Sequence, residues 1–296
     1  MSAARRVRKA VLPVAGLGTR FLPASKAQPK EMFPLVDKPL IQYAVEEAVA
    51  SGLEEIILVT SRDKESIEEH FDTDEELEAF LESRGKREEA ALVRQIGQLA
   101  NVVSVRQKRP LGLGHAVLCA RDLVGEESFV VLLPDNLIDA ATPCTQQLLD
   151  VHAARGGCVL ATLALEGAGI EEHGVLALEP VADERFPERL FRVTDMVEKP
   201  AVAEAPSRFV IIGRYVLEPE IFALLGATPP GRGGEIQLTD ALRTYAVQKT
   251  VHAYRFEGTH FDAGTKLGFL RANVHYALRD PALGPEFRDY LKSLKL

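Results

Sequence analysis

A few short segments of the chain gather glycines, cations and carboxylates in patterns that bind phosphate or metal. Gly16-Leu17-Gly18-Thr19-Arg20 follows an apolar run at residues 9–15, where a strand-to-helix turn belongs. Glycine lacks the Cβ that would keep backbone N–H groups away from a phosphate oxygen, so such a turn can cradle phosphate. Taken alone, two glycines after a strand fit a plain tight turn equally well. Arg20 and Lys30 sharpen the reading, because both sit on a loop stiffened by Pro23, Pro29 and Pro34. Two placed cations beside backbone donors suit a triphosphate, whose transferring phosphoryl and departing pyrophosphate must be neutralised. The bland alternative is two solvated surface cations. No Gly-Lys-Ser/Thr follows, so this is not a Walker loop. Nor is it a dinucleotide fingerprint: Phe21 stands where a third glycine would be, and the second strand closes at Thr60 without an acidic residue. An NAD-dependent dehydrogenase is thereby disfavoured.

Asp135 directly follows the apolar run at residues 129–133, which places its carboxylate at a strand's carboxyl end, in the crevice. A hard oxygen ligand there is what Mg²⁺ needs to bridge phosphate oxygens while keeping several waters. Capping the next turn is the plainer use. In His260-Phe261-Asp262, alternation turns His260 and Asp262 the same way if the segment is extended. Asp262 is then a candidate second metal carboxylate, and His260 is left a structural role. Glu198-Lys199-Pro200 closes another apolar run with an acceptor for sugar hydroxyls beside a cation able to meet a phosphate, although such a triplet is also a common surface turn. Gly112-Leu113-Gly114-His115 opens a helix ending near Asp122. Gln107, just upstream, has an amide that donates and accepts, which is how a pocket tells bases apart. His115 is expected to pack or cap.

These residues need a frame. Apolar runs at residues 9–15, 56–60, 101–105 and 129–133 alternate with helical patterns, among them residues 39–51 with Pro39 near the start and Gly52 after the end. Alternation of this kind implies a parallel, doubly wound sheet, with ligands outside the carboxyl ends of the strands. Residues 72–100 read as a helical hairpin covering the rim of the site. From Cys158 the connections shorten, with strands at 174–179, 190–198 and 209–217 and helices at 235–248 and 286–295. The final helix is expected to pack on the body or on a second subunit.

With 296 residues, 46% of them hydrophobic, the chain can bury a sizeable core. Thirty-five Lys and Arg against 43 Asp and Glu leave a net charge of −8, which argues against a general nucleic-acid surface. The basic stretch Arg5-Arg6-Val7-Arg8-Lys9 runs straight into a strand and reads as a solvated lead-in rather than a signal peptide or membrane patch. No apolar stretch approaches the roughly 20 residues of a membrane span; the expectation is a cytoplasmic protein. Cys119, Cys144 and Cys158 are too few and too scattered for a disulfide framework and are expected to be small core residues.

Together the segments resemble the bacterial UTP–glucose-1-phosphate uridylyltransferases of the sugar nucleotidyltransferase superfamily. The similarity runs from Ala10 to about Tyr290, on AGLGTRFLPASKAQPKEMFPLVDKPLIQY at 15–43, GLGHAVLCA at 112–120, LLPDN at 132–136, HGVL at 173–176, VEKP at 197–200, IIGRYVL at 211–217, GEIQLTDAL at 234–242 and FDAGTKLGF at 261–269. The resemblance implies a Rossmann-like nucleotidyltransferase fold with a mostly parallel central sheet flanked by helices. It implies one domain over residues 1–280, with a nucleotide-binding half at 7–140, a sugar-phosphate half at 141–280 and a C-terminal helical extension at 281–296. It implies that UTP and glucose 1-phosphate give UDP-glucose and pyrophosphate with Mg²⁺, in a single displacement by a homo-dimer or tetramer. By position, Ala15, Gly16, Gly18, Thr19 and Glu31 would contact the nucleotide, Arg20 and Lys30 its phosphates, and Gln107 and Gly112 the uracil. Asp135 and Asp262 would hold the metal; Gly174, Glu198 and Lys199 would hold the sugar phosphate. The chain departs from the pattern at Ser25, Phe33 and Asn136, of which Asn136 could alter the surroundings of the metal. A thymidylyl or other nucleotidyl transferase, or a non-catalytic regulatory paralogue, are the alternatives.

Overall fold

The apolar run before the glycine turn becomes an interior strand of the main sheet. In the computed structural model, which describes residues 6–294, the chain runs β1 (Lys9–Pro13), a loop of short 3₁₀ turns, a ribbon of β2 (Pro34–Leu35) and β3 (Lys38–Pro39), α1 (Leu40–Ala50), β4 (Glu55–Thr60), α2 (Glu65–Glu69), α3 (Glu75–Ser83), α4 (Arg87–Gly97), β5 (Asn101–Arg106), α5 (Leu113–Cys119), α6 (Arg121–Val124) and β6 (Phe129–Leu132). It continues through β7 (Asn136–Asp139), α7 (Cys144–Arg155), β8 (Cys158–Ala164), β9 (Gly174–Pro180), β10 (Leu190–Glu198), β11 (Phe209–Leu217), α8 (Ile221–Ala227), α9 (Leu238–Gln248), β12 (Val251–Arg255), β13 (Thr259–Asp262), α10 (Lys266–Arg279) and α11 (Gly284–Ser293).

The main sheet has the order β5-β4-β1-β6-β11-β8-β12-β10-β9. Strand side chains alternate, so β1 sends Ala10 and Leu12 into one apolar layer with α1 and α7, and Val11 into the other with α5, α8 and α9. Helices on both faces explain why these strands are near-continuous apolar runs rather than alternating ones. Pro39 stands at the start of α1, which lays Ile41, Ala44, Val45 and Ala48 into the first layer, while Leu40 packs with Leu35, Leu137, Ala263 and Ala272.

The parallel arrangement holds for β5, β4, β1 and β6. Beyond them the sheet is mixed: β11 runs antiparallel to β6 and β8, and β10 antiparallel to β12 and β9. The short connections after Cys158 are the physical cause, because a parallel neighbour needs a crossover of about a dozen residues or more, whereas β9 and β10 join directly.

A second correction concerns α3 and α4. They form the expected hairpin, tied by Arg94 to Glu78 at 2.7 Å, but no residue from it lines the cleft described below. Ala90 is buried while Ile96 and Leu99 pack against the first apolar layer, so the hairpin is a buttress rather than a rim. Cys144 and Cys158 are core residues as expected, while Cys119 is only half-buried; all three are free. Arg6 and Arg8 are exposed and lie against Glu54, while Arg5 and Lys295 fall outside the described residues. Helix α11 packs on α10.

Candidate active site

The loop after β1 is shaped by its own side chains. Gly18 has φ 65°, a left-handed conformation that favours glycine, and the Ser25 hydroxyl donates to its carbonyl at 2.7 Å. Phe21 buries its ring edge-on against Phe33 and Phe269, with centroids 5.4 and 5.6 Å away, which staples the loop to α10. The departure at Phe33 thus fills an aromatic cluster. Nothing lies within 4 Å of where a Cβ on Gly16 would fall, so the backbone there faces open space.

That space is a cleft of about 410 Å³ lined by Ala15, Gly16, Gly18, Thr19, Lys30, Glu31, Gln107, Gly112 and Asp135. These come from the carboxyl ends of β1, β5 and β6, as the topology rule requires. Gly112, at φ 92°, precedes α5; a Cβ there would fall 2.6 Å from Glu235 Cβ, so only glycine keeps this wall in place. The Gln107 amide nitrogen donates to the Gly112 carbonyl at 3.1 Å and lies 2.9 Å from His115 Nδ1. His115 therefore orients Gln107 and does not serve as the helix cap. Glu31 is buried and takes Lys64 Nζ at 2.7 Å, so its carboxylate is already neutralised.

Lys30 Nζ lies 2.5 Å from Asp135 Oδ2. Burial by itself would push the ammonium down and the carboxyl up, but each holds the other charged: Lys30 sits above the usual lysine value and Asp135 below the usual carboxylate value. Asp262 arrives from the far end of the chain through a small antiparallel ribbon in which β13 pairs with β7, Asp262 opposite Asn136. The Ala263 amide donates to the Asp135 carbonyl at 2.8 Å, and the Gly264 amide to Asp262 Oδ1 at 3.0 Å. Burial, and then the neighbouring Asp135, raise the Asp262 carboxyl above its ordinary value. A Cβ on Gly264 would stand 2.9 Å from Asp135 Oδ2 and 3.0 Å from Asp262 Oδ1, so the two carboxylates flank one small space. Among the described residues no group of three or more His, Cys, Asp and Glu forms a ready metal cage. Two carboxylates fit Mg²⁺, which takes one or two from the protein and the rest of its oxygens from phosphate and water.

Beneath this pair lies Arg214, fully buried and gripped by Glu47, Nη2 to Oε2 2.6 Å. Its Nη1 donates to the Leu133 carbonyl at 3.0 Å, tethering the turn that carries Asp135. Burial would raise the Glu47 carboxyl, but Arg214 holds it below its ordinary value.

A second cavity of about 180 Å³ adjoins the first, the two sharing Leu113, Leu133 and Glu235. Gly174, Glu198 and Lys199 line it, with Asn136, His173 and Thr239. Glu198 accepts from the Thr239 hydroxyl at 2.6 Å, and Lys199 sits at φ 45°, an uncommon value for a side-chain-bearing residue. A Cβ on Gly174 would lie 3.0 Å from the Thr239 hydroxyl and 3.3 Å from Glu198 Oε2, so glycine keeps that corner open. Arg20 is placed differently from most of the other candidates. It is more than half exposed and pairs with Glu172; like Asp262, which stands behind Asp135 and Gly264, it lines neither cavity.

Glu235, Thr239, Gly264 and the Glu47–Arg214 pair were not singled out from sequence. The first three lie inside the blocks GEIQLTDAL and FDAGTKLGF, which is where a signal existed. Arg214 lies inside the block IIGRYVL, a charge within an apolar strand, so a signal existed for it too, whereas Glu47 sits on a helix beyond the quoted blocks and looks locally like a surface charge.

A glycine-walled lobe holding Lys30 and Asp135, joined to a smaller polar lobe, is the arrangement of an enzyme that moves a phosphorus-centred group between two bound molecules. The chain belongs to the nucleotidyl transferase family, which its sequence matches over residues 9–279, and to the branch of the UTP–glucose-1-phosphate uridylyltransferases. It is 45% identical over 289 residues to UTP–glucose-1-phosphate uridylyltransferase 1 of Staphylococcus saprophyticus, covering 98% of this chain and 99% of that one. It is similar to the UTP-bound UGPase from Acinetobacter baumannii, at 44% identity and TM-score 0.87 over 98% of this chain and 100% of the other. A UDP-glucose pyrophosphorylase complexed with UDP-glucose matches at 40% identity and TM-score 0.83, over 93% and 100% of the two chains.

Proposed function

We propose that this protein transfers a uridylyl group from UTP to glucose 1-phosphate, giving UDP-glucose and pyrophosphate. The observation that carries the reading is the pair of joined cavities with Asp135 beside their junction. The larger lobe would take UTP, its phosphates against the glycine turn and its base against Gln107 and Gly112. The smaller would take glucose 1-phosphate, its hydroxyls toward Glu198 and its phosphate toward Lys199.

An oxygen of the sugar phosphate is already ionised, so the attack needs no general base. The bond from that oxygen to the α-phosphorus of UTP forms as the bond to the bridging oxygen breaks, and pyrophosphate leaves with the electron pair. Lys30 neutralises charge on the transferring phosphoryl, the turn at Gly16 and Gly18 offers backbone donors, and alignment by the two lobes supplies the rest. Asp135 and Asp262 would hold Mg²⁺, which when bound supplies charge neutralisation on phosphate oxygens. Arg20 reaches the phosphates only by releasing Glu172.

The halves at 7–140 and 141–280, with the extension at 281–296, describe the assembly loosely, because Glu235 lines the nucleotide lobe while Leu113 and Leu133 line the other. Three free cysteines suit a reducing cytoplasm, and no helix among the described residues is long and apolar enough to cross a membrane. Leu267, Leu270 and Val274 leave an exposed apolar stripe on α10 that supports a homo-dimer or tetramer. The test of the activity is pyrophosphate release with Mg²⁺ and glucose 1-phosphate, given UTP, dTTP, ATP or GTP in turn, with EDTA and galactose 1-phosphate controls. Fast, EDTA-sensitive release with UTP is expected. No release with any triphosphate from folded protein would overturn the reading.

A further inference from the structure

The residue that follows Asp135 reaches back to its carboxylate. Asn136 Nδ2 donates to Asp135 Oδ1 at 3.0 Å, and Asn136 Oδ1 lies 3.0 Å from His260 Nε2. An ionised carboxylate only accepts, so the Asn136 amide must turn its nitrogen to Asp135 and its oxygen to His260. That oxygen in turn accepts, so the proton of the imidazole sits on Nε2. The chain of donors therefore has one direction, from His260 through Asn136 to Asp135. The two oxygens of Asp135 are thereby divided: Oδ1 is held by Asn136, while Oδ2 meets Lys30 and faces the space beside Gly264 and Asp262.

The register of the small ribbon makes this possible. Asn136 stands opposite Asp262 and His260 opposite Ile138, so the strand that delivers the second carboxylate also delivers the imidazole. His260 and Asn136 are 124 positions apart, and neither local sequence shows that they meet.

We infer that Asn136 and His260 are positioning residues for the metal carboxylate, His260 acting through Asn136 to fix which oxygen of Asp135 faces the metal. The inference rests on the reading of Asp135 and Asp262 as the residues that hold the divalent ion. Groups that orient a metal-ligating side chain typically change metal affinity about 10- to 100-fold when removed. A methyl-for-amide change here releases Oδ1, leaving Lys30 at Oδ2 as the remaining hold on the carboxylate, and the ionised form loses one hydrogen bond.

The test measures Mn²⁺ binding by the depletion of the free-ion electron paramagnetic resonance signal, with the full chain in excess over UTP and no sugar phosphate, so that no turnover occurs, and with the depletion by UTP alone measured separately and subtracted. Asn136→Leu and His260→Phe are each expected to weaken Mn²⁺ binding by about tenfold, with unfolding temperatures near wild type. The double variant should be no weaker than Asn136→Leu alone, because the hydrogen-bond link from His260 to the carboxylate passes through Asn136. His260→Gln, which restores an N–H donor, should recover binding. Steady-state rates with Mg²⁺ should show a raised half-saturating metal concentration in both variants; the KM for glucose 1-phosphate should change little in His260→Phe, whose side chain does not line the sugar lobe, whereas Asn136 does. Wild-type affinity in folded Asn136→Leu, or additive losses in the double variant, would overturn the inference while leaving the metal site standing. If wild type and Asp135→Ala bind Mn²⁺ equally, the metal reading itself fails.

Discussion

Gly264→Ala isolates the space between the two carboxylates from everything else in the cleft. Gly264 has no left-handed backbone conformation, so alanine meets no strain from φ. Its Cβ would stand 2.9 Å from Asp135 Oδ2 and 3.0 Å from Asp262 Oδ1, short of the ordinary contact distance of 3.4 Å by about 0.5 and 0.4 Å. Asp135 cannot retreat freely, being held at Oδ1 by Asn136 and at Oδ2 by Lys30. A misplacement of about 1 Å in reacting geometry costs about 100-fold. Half that displacement, with a methyl beside the oxygens that face the metal, should lower kcat by about 10- to 100-fold and raise the half-saturating Mg²⁺ concentration. Stability should barely move, because replacing glycine by alanine at a compatible position stabilises by about 0.4–1 kcal/mol through the unfolded chain, against the cost of the tight contacts. Pyrophosphate release followed against Mg²⁺ concentration, together with a thermal unfolding curve, reads both quantities. Wild-type turnover with an unaltered Mg²⁺ dependence, in folded Gly264→Ala, would show that this space plays no part in the reaction.

Asp135→Ala should lower kcat by about two to four orders of magnitude with the fold intact, measured by the same release assay and circular dichroism; near-wild-type turnover refutes its role. Gly112→Ala should raise KM for the triphosphate far more than it alters kcat, since its Cβ would press into Glu235 from a φ of 92°; an unchanged KM contradicts the nucleotide lobe. Glu47→Gln leaves the Arg214 guanidinium buried without its counter-charge and should cost about 3–5 kcal/mol in urea unfolding, where a loss below about 1 kcal/mol argues against the pair as an anchor. The same pair gives a pH dependence. The Glu47 carboxyl is held below its ordinary value of 4.5, so its contribution is complete above that value and is lost as pH falls through the lower, folded value. Wild type should therefore lose stability in that acid window more steeply than Glu47→Gln, and parallel curves would rule this out.

Strands β10 and β11 were legible to the residue from their apolar runs, and α1 to within a residue or two, because burial against one layer imposes its period on the sequence. Helix α7 was not, since it buries Thr145, Gln147 and His152 alongside Leu148 and Val151, and those polar groups hide the pattern. Of the candidate residues, those after β1, β5 and β6 gather in one cleft because a parallel βαβ unit carries successive strand ends to the same edge. Arg20 shows the limit of that rule. Its position in the loop was readable, yet its partner, Glu172, comes from a segment whose approach no local pattern encodes.

The chemistry on offer is local: glycines without a Cβ, cations on a proline-stiffened loop, a carboxylate after an apolar strand. Residue type and spacing are enough to show it. Which polar groups meet is not local. Lys30 is matched with Asp135, Glu47 with Arg214 and His260 with Asn136, across 105, 167 and 124 positions of chain. Such pairings depend on the order and direction of strands in the sheet, which is set by the packing of whole layers rather than by any short stretch of residues.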